Sequence, residues 1–288
     1  MKSPFQYGKV VEGKYFTNRK KETDRLISNF ENDINTILLS PRRWGKSSLV
    51  NNISRAVAKK DNKLVFCFID LFNVRDESDF YATFAREVIK VASTKLEELI
   101  SIGKELLKRV RPKFVFGTDP INDFEISFEL ESVGNNYVEI LNLPEKLAKK
   151  KKMKLIICMD EFQNLHTFSD PLLFQKRLRS SFQHHKNVVY CFYGSRKSMM
   201  TSLFENKSMP FYKFGDVIYL KKIEKHYLIK FIINGFNNTG KSISKELANM
   251  IVDLMKDHPY YVQQLAHIVL INTDTNVSEK ILEESITS

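Results

Sequence analysis

The sequence has few cysteines, glycines and prolines, and each scarcity excludes a class of protein. Its 288 residues include 3 Cys, 10 Gly and 8 Pro. So few cysteines cannot form the disulfide framework of a small secreted domain, and they favour a reducing, cytoplasmic location. Glycine and proline are too rare for a fibrous or low-complexity chain. The composition is that of a folded globular protein.

Long hydrophobic runs are also missing. No apolar segment approaches the roughly 18 residues that a membrane-spanning helix needs, so no membrane span is predicted. The first residues, MKSPFQYGKVVEGK, contain no apolar stretch of the kind that secretory signals have, and no such signal is predicted.

Negative charge is in deficit, because 45 lysines and arginines stand against 34 aspartates and glutamates, a formal net charge of +11. The surplus permits a nucleic-acid, anionic-lipid or acidic partner, but many cytosolic proteins have one without any such partner. Against a usual domain size of about 150 residues, the length predicts one large domain or a core with a smaller appendage.

Short apolar runs alternate with segments of helical spacing through most of the chain. This alternation predicts an α/β fold with a doubly wound, mostly parallel sheet. The predicted strands are 36–39, 64–69, 155–159, 188–193 and a weaker 217–220, and the predicted helices are 48–60, 76–110 and 145–152.

One segment, residues 113–129, interrupts the alternation. It predicts a β-hairpin insertion whose turn contains Asp119-Pro120 and Asn122-Asp123. Apolar and polar residues alternate in its second strand, so one face of the hairpin is expected to be buried. The sequence leaves two roles open, a pad that covers the core and an arm that binds a partner.

The strand pattern stops near residue 220. Residues 226–236, 244–256 and 260–272 have helical spacing instead. We therefore predict a core domain over residues 1–220 and a C-terminal helical lid subdomain over residues 221–288.

The strongest motif lies between a predicted strand and a predicted helix. It reads Ser40-Pro41-Arg42-Arg43-Trp44-Gly45-Lys46-Ser47-Ser48. This is the setting of a Walker A loop, in which backbone amides and a helix N-terminus bind the phosphates of a nucleotide, and every residue after Ser40 is a candidate nucleotide ligand. Lys46 would bridge the β- and γ-phosphates, and the Ser47 hydroxyl would ligate Mg²⁺. Ser40 stands where the motif normally has its first glycine. The alternative is a basic turn that caps a helix.

A second segment, residues 235–242, fits the literal GxxxxGKS pattern more closely. Its context is wrong, because a helical pattern precedes it and no strand ending in Asp-Glu follows it. We predict an exposed turn between two helices, which contains Lys241 and which Ser244 follows as the cap of the second helix.

Two carboxylates, Asp160 and Glu161, follow the apolar strand at 155–159. A Walker B strand has this form. Asp160 would hold Mg²⁺, through water, and Glu161 would act as general base on the attacking water. A full strand between the two Walker motifs, together with a Glu directly after the Asp, favours the additional-strand type of P-loop NTPase, which hydrolyses ATP.

The strand at 188–193 is followed by Gly194, Ser195 and Arg196. Ser195 would reach the γ-phosphate or the attacking water, and Arg196 would stabilise charge on the transferring phosphoryl group. The alternative is an ordinary polar strand end. Arg177 and Arg179 leave a similar choice, between an arginine finger for a neighbouring subunit and a helix surface.

Taken together, these segments resemble the prokaryotic and archaeal ATPase family in the STAND branch of AAA+-like P-loop ATPases. The resemblance spans nearly the whole chain and rests on SPRRWGKSSL and CMDEFQNL. It also includes an F-x-x-R-x-x-E element that begins at Phe16 and a G-x-P-like element at 257–262 in which Asp257 replaces the glycine. Further matches are residues 178–185, 194–196 and 209–212.

The resemblance implies a Mg²⁺-dependent ATPase that binds ATP and ADP and acts as a switch for an unknown protein effector. It implies that Phe16 and Arg19 lie near the nucleotide base and that Pro259 packs on the adenine. Family members often have a C-terminal winged-helix or effector domain, which would be expected to begin near Ser288. Self-association stays open.

Two other functions stay open. One is a regulatory scaffold that holds ADP or ATP with little turnover, which the intact Asp160-Glu161 pair disfavours. The other is an ATP-dependent, DNA-associated module. The run at 149–152, four lysines, is either a nucleic-acid contact for such a module or a solvated helix end.

Overall fold

The computed structural model describes residues 3–59, 63–119, 124–128 and 134–287. They form two compact units, neither of which is continuous in the chain. The sheet unit comprises residues 25–39 and 54–218, and the helical unit comprises residues up to 24, 40–53 and 219 onward. The predicted boundary at residue 220 stays a prediction.

The described elements are best given in chain order. They are α1 (Lys20–Glu31), β1 (Thr36–Leu39), α2 (Lys46–Ala58), β2 (Leu64–Asp70), α3 (Glu77–Lys90), α4 (Leu96–Leu106), β3 (Lys113–Phe116), β4 (Phe124–Ser127), α5 (Tyr137–Leu141), α6 (Leu143–Lys151), β5 (Lys154–Asp160), α7 (Pro171–Phe182), β6 (Val188–Gly194), α8 (Lys197–Glu205), β7 (Asp216–Tyr219), α9 (Lys225–Asn237), α10 (Lys245–Leu254), α11 (Pro259–Ile271) and α12 (Glu279–Thr287).

The main sheet has five strands in the order β2-β5-β6-β1-β7. The pairs β2–β5, β5–β6 and β6–β1 are parallel. Strand β6 lies between β5 and β1, the two strands that precede the Walker motifs, so the predicted additional-strand α/β fold is confirmed. All seven residues of β6 are buried, as expected for a central strand with both faces covered.

The long helix predicted over residues 76–110 is two helices, α3 and α4. The break lies at Ser93, whose hydroxyl accepts the Lys95 amide at 3.0 Å and donates to Glu98 at 2.7 Å. A serine that bonds nearby backbone offers the chain an alternative to the helical ladder, although the apolar spacing continues on both sides.

The inserted hairpin is present, with β3 and β4 antiparallel. Phe124 and Ile126 are each 4% exposed and belong to the core of the sheet unit, whereas Val115 on the other strand is 59% exposed. These contacts favour the pad over the partner-binding arm. The turn residues Pro120, Asn122 and Asp123 lie outside the described residues.

Aromatic side chains fill the core around β6. The Phe162 ring stacks on Phe192 at 4.2 Å, and Phe182 stacks on Tyr190 at 4.1 Å between centroids. Cysteines 67, 158 and 191 are buried and are free thiols.

Three lysines of the run at 149–152 form ion pairs within the sheet unit. Lys149 lies 3.2 Å from Glu145, while Lys150 and Lys151 pair with Glu105 and Glu98 of α4. These pairs neutralise much of the run's charge, which weakens the interpretation of the run as a nucleic-acid contact.

Glu145, the ion-pair partner of Lys149, also binds the turn before β6. Glu145 is 8% exposed, and its carboxylate accepts the backbone amides of Lys186 at 3.1 Å and Asn187 at 2.8 Å. The Asn187 side chain donates to the other oxygen at 2.8 Å. This carboxylate therefore fixes the turn that leads into β6.

In the helical unit, α9 to α12 enclose a second core around Ile232, Phe236, Ile251 and Val262. Phe5 belongs to this core and is 3% exposed. It packs directly on α9, where a Cβ at position 235 would lie 2.5 Å from the Phe5 ring. Gly235 is therefore needed for close packing, which explains the first glycine of the misleading GxxxxGKS pattern.

The rest of that pattern forms a turn, as predicted, but Lys241 is not exposed. Gly240 has φ +75° after the end of α9, a conformation that suits glycine. Lys241 is half-buried, and its ammonium donates to the Leu270 carbonyl at 2.9 Å and to the Thr273 carbonyl, at the C-terminus of α11. This lysine caps a helix, where cations stabilise the dipole.

Among the described helices, none is long and apolar enough to cross a membrane.

We expect Glu145→Gln to lower the free energy of unfolding by about 1–2 kcal/mol at pH 7. Burial raises the pKa of Glu145, but the bonds from Asn187 and Lys149 outweigh it, so the pKa lies below the ordinary 4.5. The carboxylate therefore stabilises the fold fully above the unfolded pKa, and this contribution is lost as pH falls through the folded value. Urea unfolding at pH 7 and pH 3 should show a smaller difference at pH 3. An equal difference at both would contradict the assignment.

We expect Lys241→Met to lower the free energy of unfolding by about 1–2 kcal/mol, because two carbonyls at a helix end lose a charged donor. Lys230→Met on the exposed face of α9 is the matched control and should stay within about 0.5 kcal/mol of wild type. Thermal unfolding measures both. Equal melting temperatures for the two variants would show that Lys241 has no capping role.

Candidate functional site

The loop from Ser40 to Gly45, the phosphate loop, joins β1 to α2. Strand β1 is buried throughout, and the Leu49 amide donates to the Gly45 carbonyl at 2.8 Å, which begins the helix. The strand–loop–helix order is therefore present at the predicted motif. The first amides of a helix have no partner within it, and together with the dipole they form an anion site.

Two positions of the loop have a left-handed backbone. Arg43 has φ +61° and Gly45 has φ +86°, whereas Ser40 is not among the described residues with positive φ. Apart from the two neighbouring residues, no atom of the described residues lies within 4 Å of a Cβ built on Gly45, so its backbone conformation, and not a lack of space, calls for glycine. Ser40 fits the site of the usual first glycine without a left-handed backbone.

The ammonium of Lys46 lies against the loop itself. Its side chain is 6% exposed, and Nζ donates to the Ser40 and Pro41 carbonyls, both at 3.0 Å, and to Ser40 Oγ at 3.3 Å. Carbonyls at the start of the loop thus hold the buried ammonium of Lys46. Ser47, next in the chain, is half-buried.

An N-terminal segment is fixed to the first turns of α2. Ser48 Oγ accepts the Val11 amide at 2.9 Å. Asn52 donates to the Val11 carbonyl and accepts the Gly13 amide, both at 2.9 Å. The Ser48 hydroxyl, predicted as a nucleotide ligand, is therefore used in packing this segment, and Phe16 follows it as a half-buried side chain. No sequence pattern singled out Asn52.

Arg19 lies beneath the phosphate loop. It is 3% exposed, and its guanidinium donates to the Trp44 carbonyl at 3.2 Å, to the Lys221 carbonyl at 2.5 Å and to Glu22 at 3.1 Å. Burial lowers the pKa of Arg19, and the Glu22 carboxylate opposes this effect. These contacts make Arg19 a support of the loop, and its contact with a nucleotide base stays a prediction.

Two loop residues contact the N-terminus of α11. The Arg43 guanidinium lies 4.4 Å from the centroid of the Tyr260 ring and donates to the Tyr261 hydroxyl at 3.4 Å. The Trp44 ring meets His258 edge-on at 6.3 Å. We call these contacts the loop–helix clasp. Burial lowers the pKa of His258, so its ring is neutral at pH 7.

Pro259 is the first residue of α11 and is half-buried. The two residues at 256 and 257 have φ +50° and +57°. Asp257 thus adopts the left-handed conformation for which glycine is the usual residue, and the turn forms without glycine. The adenine contact of Pro259 stays a prediction.

The predicted acidic residues, Asp160 and Glu161, lie in the sheet unit. Asp160 ends β5, pairs in register with Asp70 of β2, and accepts the Glu161 amide on Oδ1 at 2.8 Å. Glu161 has φ +52°, a rare conformation for a residue with a side chain. Asp70, which the sequence did not single out, is a further carboxylate at this edge.

The structure brings Glu161 and Ser195 together. Glu161 Oε2 accepts Ser195 Oγ at 2.9 Å and the Ser195 amide at 3.3 Å. Gln163, a residue missed from sequence, donates its side-chain amide to the same oxygen. Gln163 can be recognised only from this contact in the structure, because the residue type glutamine does not by itself indicate a role.

The predicted arginines differ in their surroundings. Arg196 is exposed at the start of α8, with its guanidinium 3.8 Å from the Met199 sulfur. Arg177 forms an ion pair with Glu77 at 2.7 Å, and Arg179 lies 4.5 Å from the centroid of the Phe214 ring. The last two arginines therefore make contacts within their own chain.

Known proteins support the P-loop interpretation of this geometry. A Walker-type ATPase of Pyrococcus abyssi has a similar structure, with a TM-score of 0.68 and 16% identity over 99% of this chain and 75% of that chain. The ORC2 protein of Aeropyrum pernix, solved in ADPNP–ADP complexes, has a TM-score of 0.59 and 14% identity over 99% and 72%. The ORC1 protein of the same organism, solved with DNA, has a TM-score of 0.58 and 9% identity over 96% and 66%.

At these identities the structural similarity shows the fold alone. No curated protein sequence matches this chain significantly. The family model of an ATPase domain found predominantly in Archaea matches residues 16–265. Because that match spans most of the 288 residues, the chain belongs to this family of P-loop ATPases.

Proposed function

We propose that the protein hydrolyses Mg²⁺-ATP and that turnover acts as a switch, of the STAND and AAA+-like type, for a protein effector. The observation that carries the proposal is the hydrogen bond between Glu161 and Ser195 at the ends of two neighbouring parallel strands. It holds a carboxylate next to the strand that pairs with β1, and the phosphate loop begins at the residue after β1.

The phosphate loop would bind the triphosphate. Its backbone amides and the N-terminus of α2 bind phosphate oxygens, and Lys46 exchanges the Ser40 and Pro41 carbonyls for oxygens of the β- and γ-phosphates. The exchange is favourable because phosphate is a charged acceptor, and charge-assisted hydrogen bonds are stronger than those to neutral carbonyls.

The donor set fits Mg²⁺. The Ser47 hydroxyl and the Asp160 carboxylate are hard oxygen ligands of the kind that this ion takes. In the described parts of the chain, no three His, Cys, Asp or Glu side chains come together as a metal cluster. One direct ligand, Ser47, and one carboxylate that holds the ion through water, Asp160, would suit an ion that keeps several waters and binds mainly through nucleotide phosphates. When bound, Mg²⁺ neutralises charge that develops on the phosphoryl group.

Glu161 would take the proton of the attacking water, and Ser195 would hold the carboxylate in place. Arg196, exposed at the end of β6, would stabilise negative charge on the transferring group. A contact that strengthens as charge moves raises turnover more than it raises binding.

The loop–helix clasp would couple the nucleotide state of the phosphate loop to the position of the C-terminal helices. Arg43 and Trp44 belong to the phosphate loop and also touch α11, so a shift of the loop on phosphate binding displaces their aromatic partners. Loops and helices that move between discrete arrangements are the usual means by which hydrolysis signals to a partner. The effector is unknown.

One observation favours the second candidate, a scaffold that holds ADP or ATP with little turnover. Glu161 Oε2 already accepts three donors from the protein, so that oxygen is less available to an attacking water. A DNA-associated role has less support, although the ORC1 relative was solved with DNA. Three lysines of the run at 149–152 are ion-paired.

We expect Lys46→Ala to lose most of its ATP affinity, at least about tenfold, because a charged contact with phosphate is removed. Lys241→Met is the matched control, since it removes the lysine of the other GKS segment and should bind ATP like wild type. Isothermal titration calorimetry on protein checked for copurified ADP measures both. Loss of binding in Lys241→Met but not in Lys46→Ala would overturn the site assignment.

We expect Glu161→Gln to bind ATP like wild type and to lose turnover by about 10²–10⁴-fold, because glutamine keeps the shape but cannot take a proton. Phosphate release with saturating Mg²⁺-ATP measures the rate, and EDTA should abolish it in wild type. Turnover of Glu161→Gln at the wild-type rate would exclude Glu161 as the base, and negligible turnover of wild type itself would favour the scaffold.

A further inference from the structure

The surroundings of the Glu161 carboxylate are asymmetric. Oε2 accepts Ser195 Oγ at 2.9 Å, the Ser195 amide at 3.3 Å and the side-chain amide of Gln163. Oε1 accepts no hydrogen bond from the described residues. One oxygen of the carboxylate is therefore anchored, and the other keeps its lone pairs.

Gln163 is built into the fold at this point. It lies in the 3-10 helix Phe162–Thr167 that follows Glu161, and its side chain is 1% exposed. Its place depends on Gly194, because a Cβ at that position would lie 1.9 Å from Gln163 Oε1. The last residue of β6 thus leaves the space that the glutamine fills.

The amide of Gln163 is satisfied only toward Glu161. Its Oε1 is buried without a hydrogen-bond partner among the described residues. A buried, unpartnered oxygen lowers stability, so an apolar side chain of equal length would serve packing better. The amide cannot flip to relieve this oxygen, since Oε1 would then face the carboxylate. The unfavourable oxygen is consistent with a role at Glu161 and not in the core.

Glu161 itself needs such support. Its φ of +52° costs conformational energy for a residue with a Cβ, and such strain persists only where surrounding contacts fix it. Gln163 and Ser195 supply the contacts, one from the chain after Glu161 and one from the end of β6.

We propose that Gln163 is a positioning residue for hydrolysis: with Ser195 it anchors Oε2 of Glu161, so that Oε1 is the atom that takes the proton from water. In this step the water O–H bond breaks, the proton goes to Oε1, and the water oxygen attacks the γ-phosphorus as the bond to the leaving ADP oxygen breaks. The inference rests on the proposed function, because it requires Glu161 to act as the base.

The test replaces Gln163 with methionine, which has similar length and no donor. Gln163→Met should lower kcat for Mg²⁺-ATP about tenfold, and the Kd for ADP should not change, because the anchored oxygen does not bind the ground-state nucleotide. Gln175→Met is the matched control: Gln175 is also 1% exposed in the sheet unit, its amide has no hydrogen-bond partner among the described residues, and the variant should keep the wild-type kcat.

Gly194→Ala is a second variant that keeps the glutamine but pushes its amide away. It should lower kcat in the same direction as Gln163→Met. In a Glu161→Gln background, Gln163→Met should cause no further loss, since residues that act as one unit are not additive. Single-turnover kinetics measures these slow rates.

The outcomes separate the two claims. Wild-type turnover in Glu161→Gln would overturn the proposed function. An inactive Glu161→Gln beside a wild-type kcat in Gln163→Met would overturn only the inference. A raised kcat in Gln163→Met would show that the contact restrains the base. Equal losses of kcat and melting temperature in Gln163→Met and Gln175→Met would show a structural role.

Discussion

The parallel pairing of β1, β6 and β5 is the constraint on which the arrangement of the carboxylates in the sheet unit depends. Leu39 pairs with Gly194, and the same strand β6 pairs with β5, which ends at Asp160. Parallel strands bring their carboxyl ends to one edge, so residues far apart in the chain meet without any long-range contact of their own. The position of Ser195 beside Glu161 follows from this register.

The chain has many cationic side chains, and several of those in or near the two GKS segments bind backbone carbonyls of the protein itself. Arg19 supports the Trp44 carbonyl, Lys46 lies against loop carbonyls, and Lys241 caps α11. A formal charge of +11 therefore says little about partners until the paired cations are set aside. Lys46 and Lys241 both lie in Gly-Lys-Ser segments but make different contacts, because the segment of Lys46 follows a strand and that of Lys241 follows a helix.

Local patterns predicted the frame well. Apolar runs identified the strands, and the strand–loop–helix context distinguished the phosphate loop from residues 235–242, because periodicity reports which face is buried. The same patterns missed the break between α3 and α4, since the Ser93 hydroxyl interrupts a helix without changing the apolar spacing. They also gave the wrong exposure for Lys241, whose carbonyl partners lie some 30 residues later in the chain.

Candidate site residues could be named from sequence where one residue type carries the proposed chemistry, as with Lys46, Asp160 and Glu161, and their roles stay predictions. Gln163 could not be named, because its proposed role depends on shape. Gly194 leaves space for its side chain, and no spacing rule connects the two residues. Backbone conformation was equally hidden, since Arg43 and Asp257 adopt positive φ without being glycine.

The packing of Phe5 against α9 has a consequence for synthesis on the ribosome. The segment at residues 5–7 contacts three residues that are synthesised more than 220 residues later. The pairs are Phe5–Phe236, Gln6–Gln263 and Tyr7–Tyr260. The sheet unit is complete at residue 218, but the phosphate loop belongs to the helical unit. Contacts of such high sequence separation form late. The nascent chain therefore emerges with its sheet able to form before the loop–helix clasp exists, and the phosphate loop meets its partners on α11 only after residues 258–261 are made.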